Sequence, residues 1–247
     1  LEFNFSDQGA PEAQLGDFLR RKNLLLVLDN FEQLLADPRC PALLARLLQD
    51  APAVTFLVTS RQRLHLREEC VFEIDGLSLA EGGGEEPEAL ALFARRARQV
   101  KRSFALDGEN RPAAEQICRL LGGLPLGIEL AAATLWGRTC PELADAVQRD
   151  LDVLHSSAHD AAPEHASLRA VFEVSWRQLN EAERGAFARL TVFRGGFGAE
   201  AAQRVADAGA GTLDALVGYS LLRRGNDGRY DLHESLRQYA GEKLSAD

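Results

Sequence analysis

Apolar residues run unbroken from Leu24 to Leu28 and then stop on Asp29 and Asn30. A run of this kind reads as a strand buried on both faces, as in a parallel sheet. A second run, Val54-Thr55-Phe56-Leu57-Val58-Thr59, ends at Ser60-Arg61. Between the two, Leu43, Leu44, Leu47 and Leu48 recur at helical spacing, bounded by Pro41 and Pro52. Strand, helix and strand in this order predict a βαβ unit with parallel neighbouring strands. Leu15, Phe18 and Leu19 predict a short helix ahead of it. Alternation over Leu1 to Phe5, and the run Cys70 to Ile74, predict two further short strands.

After the loop Glu81-Gly82-Gly83-Gly84-Glu85-Glu86-Pro87 the strand pattern gives way to helical periodicity. Ala89, Leu92, Phe93, Ala97 and Val100 mark one helix, and Ala113, Ile117, Leu120 and Leu121 another. Gly122-Gly123 stops the second, and Pro125 suits the first turn of the next. The stretch from Ile128 to Trp136 is apolar nearly all round and predicts a core helix. Pro141 opens one more, with Leu143, Val147, Leu151 and Leu154 inward. A polar linker spans His155 to Pro163. Beyond it Asn180-Glu181-Ala182-Glu183 has the pattern of a capping box. Gly195-Gly196 closes that region, and helices are expected near residues 199–206 and 212–219. Leu221 to Arg224, the turn Gly225-Asn226-Asp227-Gly228, and Arg229 to His233 predict a terminal hairpin. Helices followed by such a hairpin describe a winged helix.

Composition narrows the function classes. The 247 residues are 46% hydrophobic, ample for a packed core, and carry a net charge of −9. That charge argues against wholesale binding to nucleic acid or an anionic membrane. The longest apolar stretch, Leu124 to Trp136, is broken by Glu129 and too short to span a bilayer. Cys40, Cys70, Cys118 and Cys140 lack the close pairing of a zinc site and read as structural thiols of a reducing cytosol. The chain holds no Met and begins at Leu1, so a trimmed stretch of a longer protein is expected, with the missing Gly-rich loop, and with it binding of ATP/ADP and Mg²⁺, supplied from upstream.

The chemistry centres on Asp29. An acid at the C-terminal edge of a buried parallel strand sits where open α/β sheets bind ligands. In phosphate-handling folds that acid is the Walker B carboxylate, which holds Mg²⁺. Its partner would be a Gly-rich loop ending in Gly-Lys-Ser/Thr. The lysines here, Lys22, Lys101 and Lys243, follow Arg21, Val100 and Glu242, so half a nucleotide site is written. Taken alone, Asp29 reads equally as a helix N-cap, Arg61 as a surface ion-pair partner, and His233 as a half-buried strand residue. His155, His159 and His165 sit in a Ser/Ala/Pro linker and do not make a metal motif. Residues 165–247 carry 11 basic and 11 acidic side chains, so Arg223, Arg224 and Arg229 on the wing do not amount to the basic face of a DNA reader. Trp136, Trp176, Phe172 and Phe187 read as core.

Five motifs stand in a familiar order: Leu24 to Asn30 with Phe31-Glu32-Gln33; Thr59-Ser60-Arg61; Gly123-Leu124-Pro125-Leu126-Gly127-Ile128-Glu129-Leu130-Ala131-Ala132; Leu190 to Phe197; and Leu232 to Ala240. Together they resemble the signal-transduction ATPases with numerous domains (the STAND class, NB-ARC-like), in the bacterial branch of LuxR-type and AfsR-type transcriptional regulators. The resemblance implies an α/β fold, a partial P-loop sheet with parallel strands, followed by an all-helical module and a winged-helix domain. Residues 1–78 would be the C-terminal part of the nucleotide-binding domain, 79–160 the helical domain and 161–247 the winged helix. It further implies an ATP/ADP switch, closed with ADP and opened by ATP. Asp29 would hold Mg²⁺ through water and Arg61 would sense the γ-phosphate. Gly123, Leu124 and Pro125 would close over the adenosine, and His233 would reach the ADP β-phosphate. The expected partners are nucleotide, other domains of the parent regulator, and further copies of it on activation; neither DNA contact by this stretch nor a membrane is expected. Many ATPases place a second acid directly after the Walker B Asp, where this chain has Asn30. Glu32 is the candidate substitute, and slow or negligible hydrolysis is equally consistent. The rival reading is an interaction or DNA-binding module with a vestigial nucleotide site.

Overall fold

The computed structural model describes residues 3–6, 9–79, 86–155, 167–225 and 227–246. The chain divides into two compact units, Leu1–Glu73 and Ile74–Asp247.

In the first unit, β1 (Leu24–Leu28) pairs in parallel with β2 (Val54–Val58), with Leu26 opposite Phe56. Helix α1 (Pro11–Leu19) precedes β1, and α2 (Arg39–Asp50) makes the crossover between the strands. Leu19, Leu47, Ala51 and Val54 form the core, with Leu24, Leu26, Leu43 and Phe56 packed against them. The predicted βαβ unit is therefore present. Burial on both strand faces is not. Leu25, Val27 and Leu57 are 57%, 60% and 54% exposed, because the helices of this unit cover only one face of the two-stranded sheet. Cys70 to Ile74 does not form the expected strand. No neighbouring strand among the described residues pairs with it, and Phe72 and Ile74 point outward; an apolar run without a ladder partner has nothing to hold it in a sheet. Phe3 to Phe5 is irregular rather than a strand; the Phe3 ring packs at a tilt against Phe18, with centroids 4.7 Å apart. Leu1 and Glu2 lie outside the described residues.

The second unit is helical apart from one short hairpin. Its helices are α3 (Glu88–Val100), α4 (Asn110–Leu120), α5 (Pro125–Ala133), α6 (Cys140–Arg149), α7 (Leu168–Gln178) and α8 (Glu181–Leu190). Next come α9 (Ala199–Ala206), α10 (Ala210–Gly218), antiparallel β3 (Arg223–Arg224) and β4 (Tyr230–Asp231), and α11 (Glu234–Ala246). Local sequence sets several boundaries. Pro125 occupies the first turn of α5, where no amide donor is needed. Both Thr139 with Glu142 and Asn180 with Glu183 form reciprocal capping boxes that satisfy orphan amides at the starts of α6 and α8. One continuous apolar core runs from Phe93 on α3 through Ile128 on α5 and Phe187 on α8 to Tyr239 on α11.

Phe172 and Phe187 are buried as expected, and Trp176 packs edgewise on Tyr239. Trp136 is not a core residue. Helix α5 ends at Ala133, and the indole lies beyond it, 82% exposed, just before the left-handed Gly137. Among the described residues all four cysteines are free. Burial pushes the Cys118 thiol up to about 12 and Cys140 to about 11, which removes both as nucleophiles near neutral pH. No helix among the described residues is long and apolar enough to cross a membrane. Most of the expected linker, with His159 and His165, lies outside the described residues, as do most of the Gly-rich loop before Pro87 and Asn226 of the hairpin turn.

Candidate functional site

In the first unit the strand register decides what Asp29 meets. Because Leu28 stands opposite Val58, the next residues on the two strands, Asp29 and Thr59, emerge side by side at the C-terminal edge of the sheet. The Thr59 amide donates to the Leu28 carbonyl at 2.9 Å, and the Phe31 amide donates to the Thr59 carbonyl at 3.0 Å. The Thr59 hydroxyl donates to Asp29 Oδ1 and accepts from the Asn30 amide at 3.0 Å. Asn30 itself is left-handed, at φ 54°, a conformation Asn tolerates better than most residues. The reversal buries Phe31 and starts a 3₁₀ turn, Phe31–Leu34. Asp29 caps no helix; its carboxylate is exposed at the strand tip with one oxygen steadied by Thr59.

Glu32 and Arg61 form the second pair. The Arg61 amide donates to Glu32 Oε2 at 3.4 Å, and Arg61 Nε lies 3.6 Å from Glu32 Oε1. The Glu32 side chain is only 9% exposed, whereas Arg61 retains 32%, so one edge of the guanidinium faces solvent. The ion-pair reading of Arg61 is thus realised, with Glu32 as its partner. An arginine in this state can exchange a carboxylate for a phosphate, since both accept the same forked donors.

In the second unit, Gly122 and Gly123 end α4 with φ of +58° and +70°. Each is required by a close approach as well as by its dihedral. A Cβ on Gly122 would lie 1.4 Å from His233 Nε2, and one on Gly123 would lie 2.2 Å from the Leu77 carbonyl oxygen. The Gly123 carbonyl in turn accepts from the Leu77 amide at 2.8 Å. His233 enters just ahead of α11 and lays its imidazole over the bare backbone of Gly122, while Nδ1 shares a 3.0 Å hydrogen bond with the buried Ser235 hydroxyl. Burial holds the imidazole below its ordinary pKa, and Arg223 and Arg237 push the same way against Asp231. It is therefore neutral at pH 7, with one donor and one acceptor nitrogen. Gly123 is buried, Leu124 half-buried and Pro125 exposed.

The structure thus groups Asp29 with Thr59, Glu32 with Arg61, and His233 with the Gly122-Gly123 turn. Sequence reading gave no individual role to Thr59 or Ser235 and read Gly122 only as a helix stop. The doubled glycine was the one available signal, because a helix stop needs a single left-handed residue and the second implies a close neighbour. The arginines of the β3–β4 hairpin are engaged internally. Arg223 pairs with Asp75 at 3.1 Å, Arg224 lies 5.6 Å over the Tyr230 ring, and Arg229 donates to the Gly196 carbonyl.

No protein-family model matches the chain. It is 35% identical over 238 residues to a "Putative HTH-type transcriptional regulator" of Mycobacterium tuberculosis, covering 92% of this chain and 26% of that protein. An uncharacterized protein of the same organism is 35% identical over 237 residues, which is 90% of this chain and 57% of that one. The regulatory protein AfsR of Streptomyces griseus is 31% identical over 234 residues, 89% of this chain and 21% of AfsR. A solved structure, the STAND protein with a tetratricopeptide repeat sensor from Pyrococcus horikoshii, aligns with a TM-score of 0.34 at 18% identity, over 94% of this chain and 30% of that one. Over about nine-tenths of its length the chain is similar to a stretch of transcriptional and AfsR-type regulatory proteins, and it spans about a quarter of the regulators it matches.

Proposed function

We propose that this chain is the nucleotide-responsive stretch of a cytoplasmic transcriptional regulator, a switch between ADP-bound and ATP-bound states. The observation that carries the reading is the seat of His233: a neutral, half-buried imidazole pressed on the Gly122-Gly123 turn that opens into Leu124 and Pro125. The imidazole requires a bare backbone beneath it at Gly122, while Gly123 is required by the Leu77 backbone that packs on the same turn. The similarity to regulators supports the same reading.

Asp29, exposed and steadied by Thr59, offers a hard oxygen pair that suits Mg²⁺, which favours one or two carboxylates with water and phosphate completing its shell. Such an ion would neutralise phosphate charge. Arg61 exchanges its Glu32 partner for a terminal phosphate, so loss of that phosphate returns it to Glu32. With Asn30 rather than a second acid beside Asp29, Glu32 is the candidate to orient water, and the account is consistent with slow or negligible hydrolysis. Gly123, Leu124 and Pro125 close over the adenosine, and His233 donates to the ADP β-phosphate to hold the ADP state. The C-terminal hairpin and helices act as a winged helix whose arginines serve internal packing rather than DNA. Further copies of the regulator are its partners once the ATP state opens.

The second reading is an interaction or DNA-binding module with a vestigial nucleotide site, which a native gene without a Gly-Lys-Ser/Thr loop upstream of this stretch would favour. Asp29→Ala and Arg61→Ala, made in the intact regulator, separate the two. The switch requires that both abolish ATP-driven activation while circular dichroism stays unchanged; activation equal to wild type in both variants leaves the vestigial reading standing.

A further inference from the structure

Ser235 is the second residue of α11 and is buried, at 1% exposed. Its hydroxyl has one hydrogen-bond partner among the described residues, the His233 ring, with Oγ 3.0 Å from Nδ1. A buried hydroxyl is costly unless it is paired, and few in folded proteins go without a partner. An alanine at this place would carry no such cost, which leaves the imidazole as the one group the hydroxyl serves. His233 itself holds the N-cap position of α11, its carbonyl accepting from the Arg237 amide at 2.8 Å. The two side chains therefore meet at the start of one helix, two residues apart.

Counting protons sets the direction of that bond. A neutral imidazole carries one proton, on Nδ1 or on Nε2. Were it on Nδ1, the ring would donate to Ser235 Oγ, and the buried Ser235 proton would find no acceptor. With it on Nε2, the hydroxyl donates to a bare Nδ1 and both groups are satisfied. What remains is the Nε2–H. Among the described residues the fully enclosed side-chain atoms without a partner are Arg237 Nε and Gln238 Oε1; Nε2 also lacks a partner and therefore keeps some surface. It stands over the bare backbone of Gly122, where any side chain would collide with it. Burial keeps the ring neutral, with Arg223 and Arg237 acting the same way against Asp231. The positive end of α11 adds to this.

We propose that Ser235 is a positioning residue for His233: its hydroxyl fixes the ring proton on Nε2, so that the imidazole offers a neutral N–H donor over Gly122 to a phosphate oxygen. A lone N–H selects a group that only accepts, as phosphate oxygens do. The other tautomer would turn a lone pair toward the same oxygens and repel them, so the choice of nitrogen decides whether this imidazole holds a phosphate or rejects it. The phosphate rests on the nucleotide reading above; the place of the proton does not.

The test has two arms. In the first, imidazole nitrogen NMR spectra of the whole chain are recorded at neutral pH without nucleotide, the His233 ring being identified by its absence in His233→Gln. Wild type should show one tautomer, with Nε2 protonated and Nδ1 bare. Ser235→Ala, which removes a single hydroxyl, should shift both nitrogens toward a mixture of the two. A protonated Nδ1 in wild type, or the same tautomer in both proteins, would overturn the proposal. In the second arm, calorimetry on the intact regulator measures ADP affinity. Ser235→Ala should weaken it by about three- to tenfold, the scale of one net hydrogen bond, and should weaken it no further once His233 is replaced by alanine. An equal loss in the His233→Ala background would mean that Ser235 acts through the fold at large, and the proposal would fall. An intact wild type that binds no ADP would overturn the nucleotide reading, and with it the phosphate, while the spectra still decide where the proton sits.

Discussion

Gly122 carries two separate costs for any side chain, and they can be measured apart. Its left-handed backbone disfavours a Cβ by roughly 1 to 2 kcal/mol whatever surrounds it. The collision with His233 Nε2 comes on top. Gly122→Ala is expected to destabilise the second unit by about 3 kcal/mol or more in urea denaturation. Adding His233→Ala should restore the steric part and leave only the backbone part, an interaction that a double-mutant cycle isolates. Strictly additive losses would mean that the imidazole does not sit where Gly122 requires it. The same histidine predicts a pH dependence. Unfolded, it titrates near 6.5; folded, burial and the two arginines hold it lower. The unfolded chain binds more protons in that window, so this contribution is complete above pH 6.5 and is lost as pH falls through the folded value. Melting temperature should drop over that range in wild type and less steeply in His233→Gln. Equal slopes would show that His233 is not the group responsible. At this scale the sequence made Asp29, Arg61 and His233 visible, since each lies at a strand end or helix start. Their partners Thr59, Glu32 and Gly122 lie 30, 29 and 111 positions away, a juxtaposition that only the folded register creates.

Helix boundaries were the most legible part of the chain, because capping chemistry is local. The Asn180 to Glu183 box was readable from four residues and is present with both hydrogen bonds, at 2.9 Å each. Asn180→Ala should cost about 1 kcal/mol of the second unit's stability, and Asn180→Ser much less. Equal losses for the two would mean that the cap is not the source. By contrast, α7 was not read from the sequence, although Leu168, Val171, Phe172 and Trp176 recur at helical spacing, with Arg169, Glu173 and Arg177 left to ion pairs. Its beginning depends on Ser167, whose hydroxyl accepts from the Ala170 amide. The strands show the opposite error. An apolar run specifies what a strand could bury, not what is there to cover it, so Leu25, Val27 and Leu57 read as core and stand exposed. The run from Cys70 to Ile74 read as a strand for the same reason and has no ladder.

At the scale of the molecule, the core of the second unit is one body from α3 to α11, so a defect at its centre should be felt throughout. Phe187, fully buried on α8, is such a centre. Phe187→Ala is expected to cost about 3 to 5 kcal/mol and to reduce hydrogen-exchange protection in α3 to α6 as well as in α8 to α11. Protection lost only in α8 to α11 would mean two separately stable halves. The overall course, a parallel strand pair and then helices and a terminal hairpin, followed from periodicity together with turn and capping residues; how many strands and layers surround the pair did not, because that information is not local. The account's central claim is that nucleotide governs this stretch, and the most direct test is ADP affinity by calorimetry on the intact regulator. Wild type should bind ADP with Mg²⁺. Asp29→Ala should weaken that binding only when Mg²⁺ is present, and His233→Ala should weaken it with or without the metal. ADP affinity identical in all three proteins, or no binding in any, would contradict the claim.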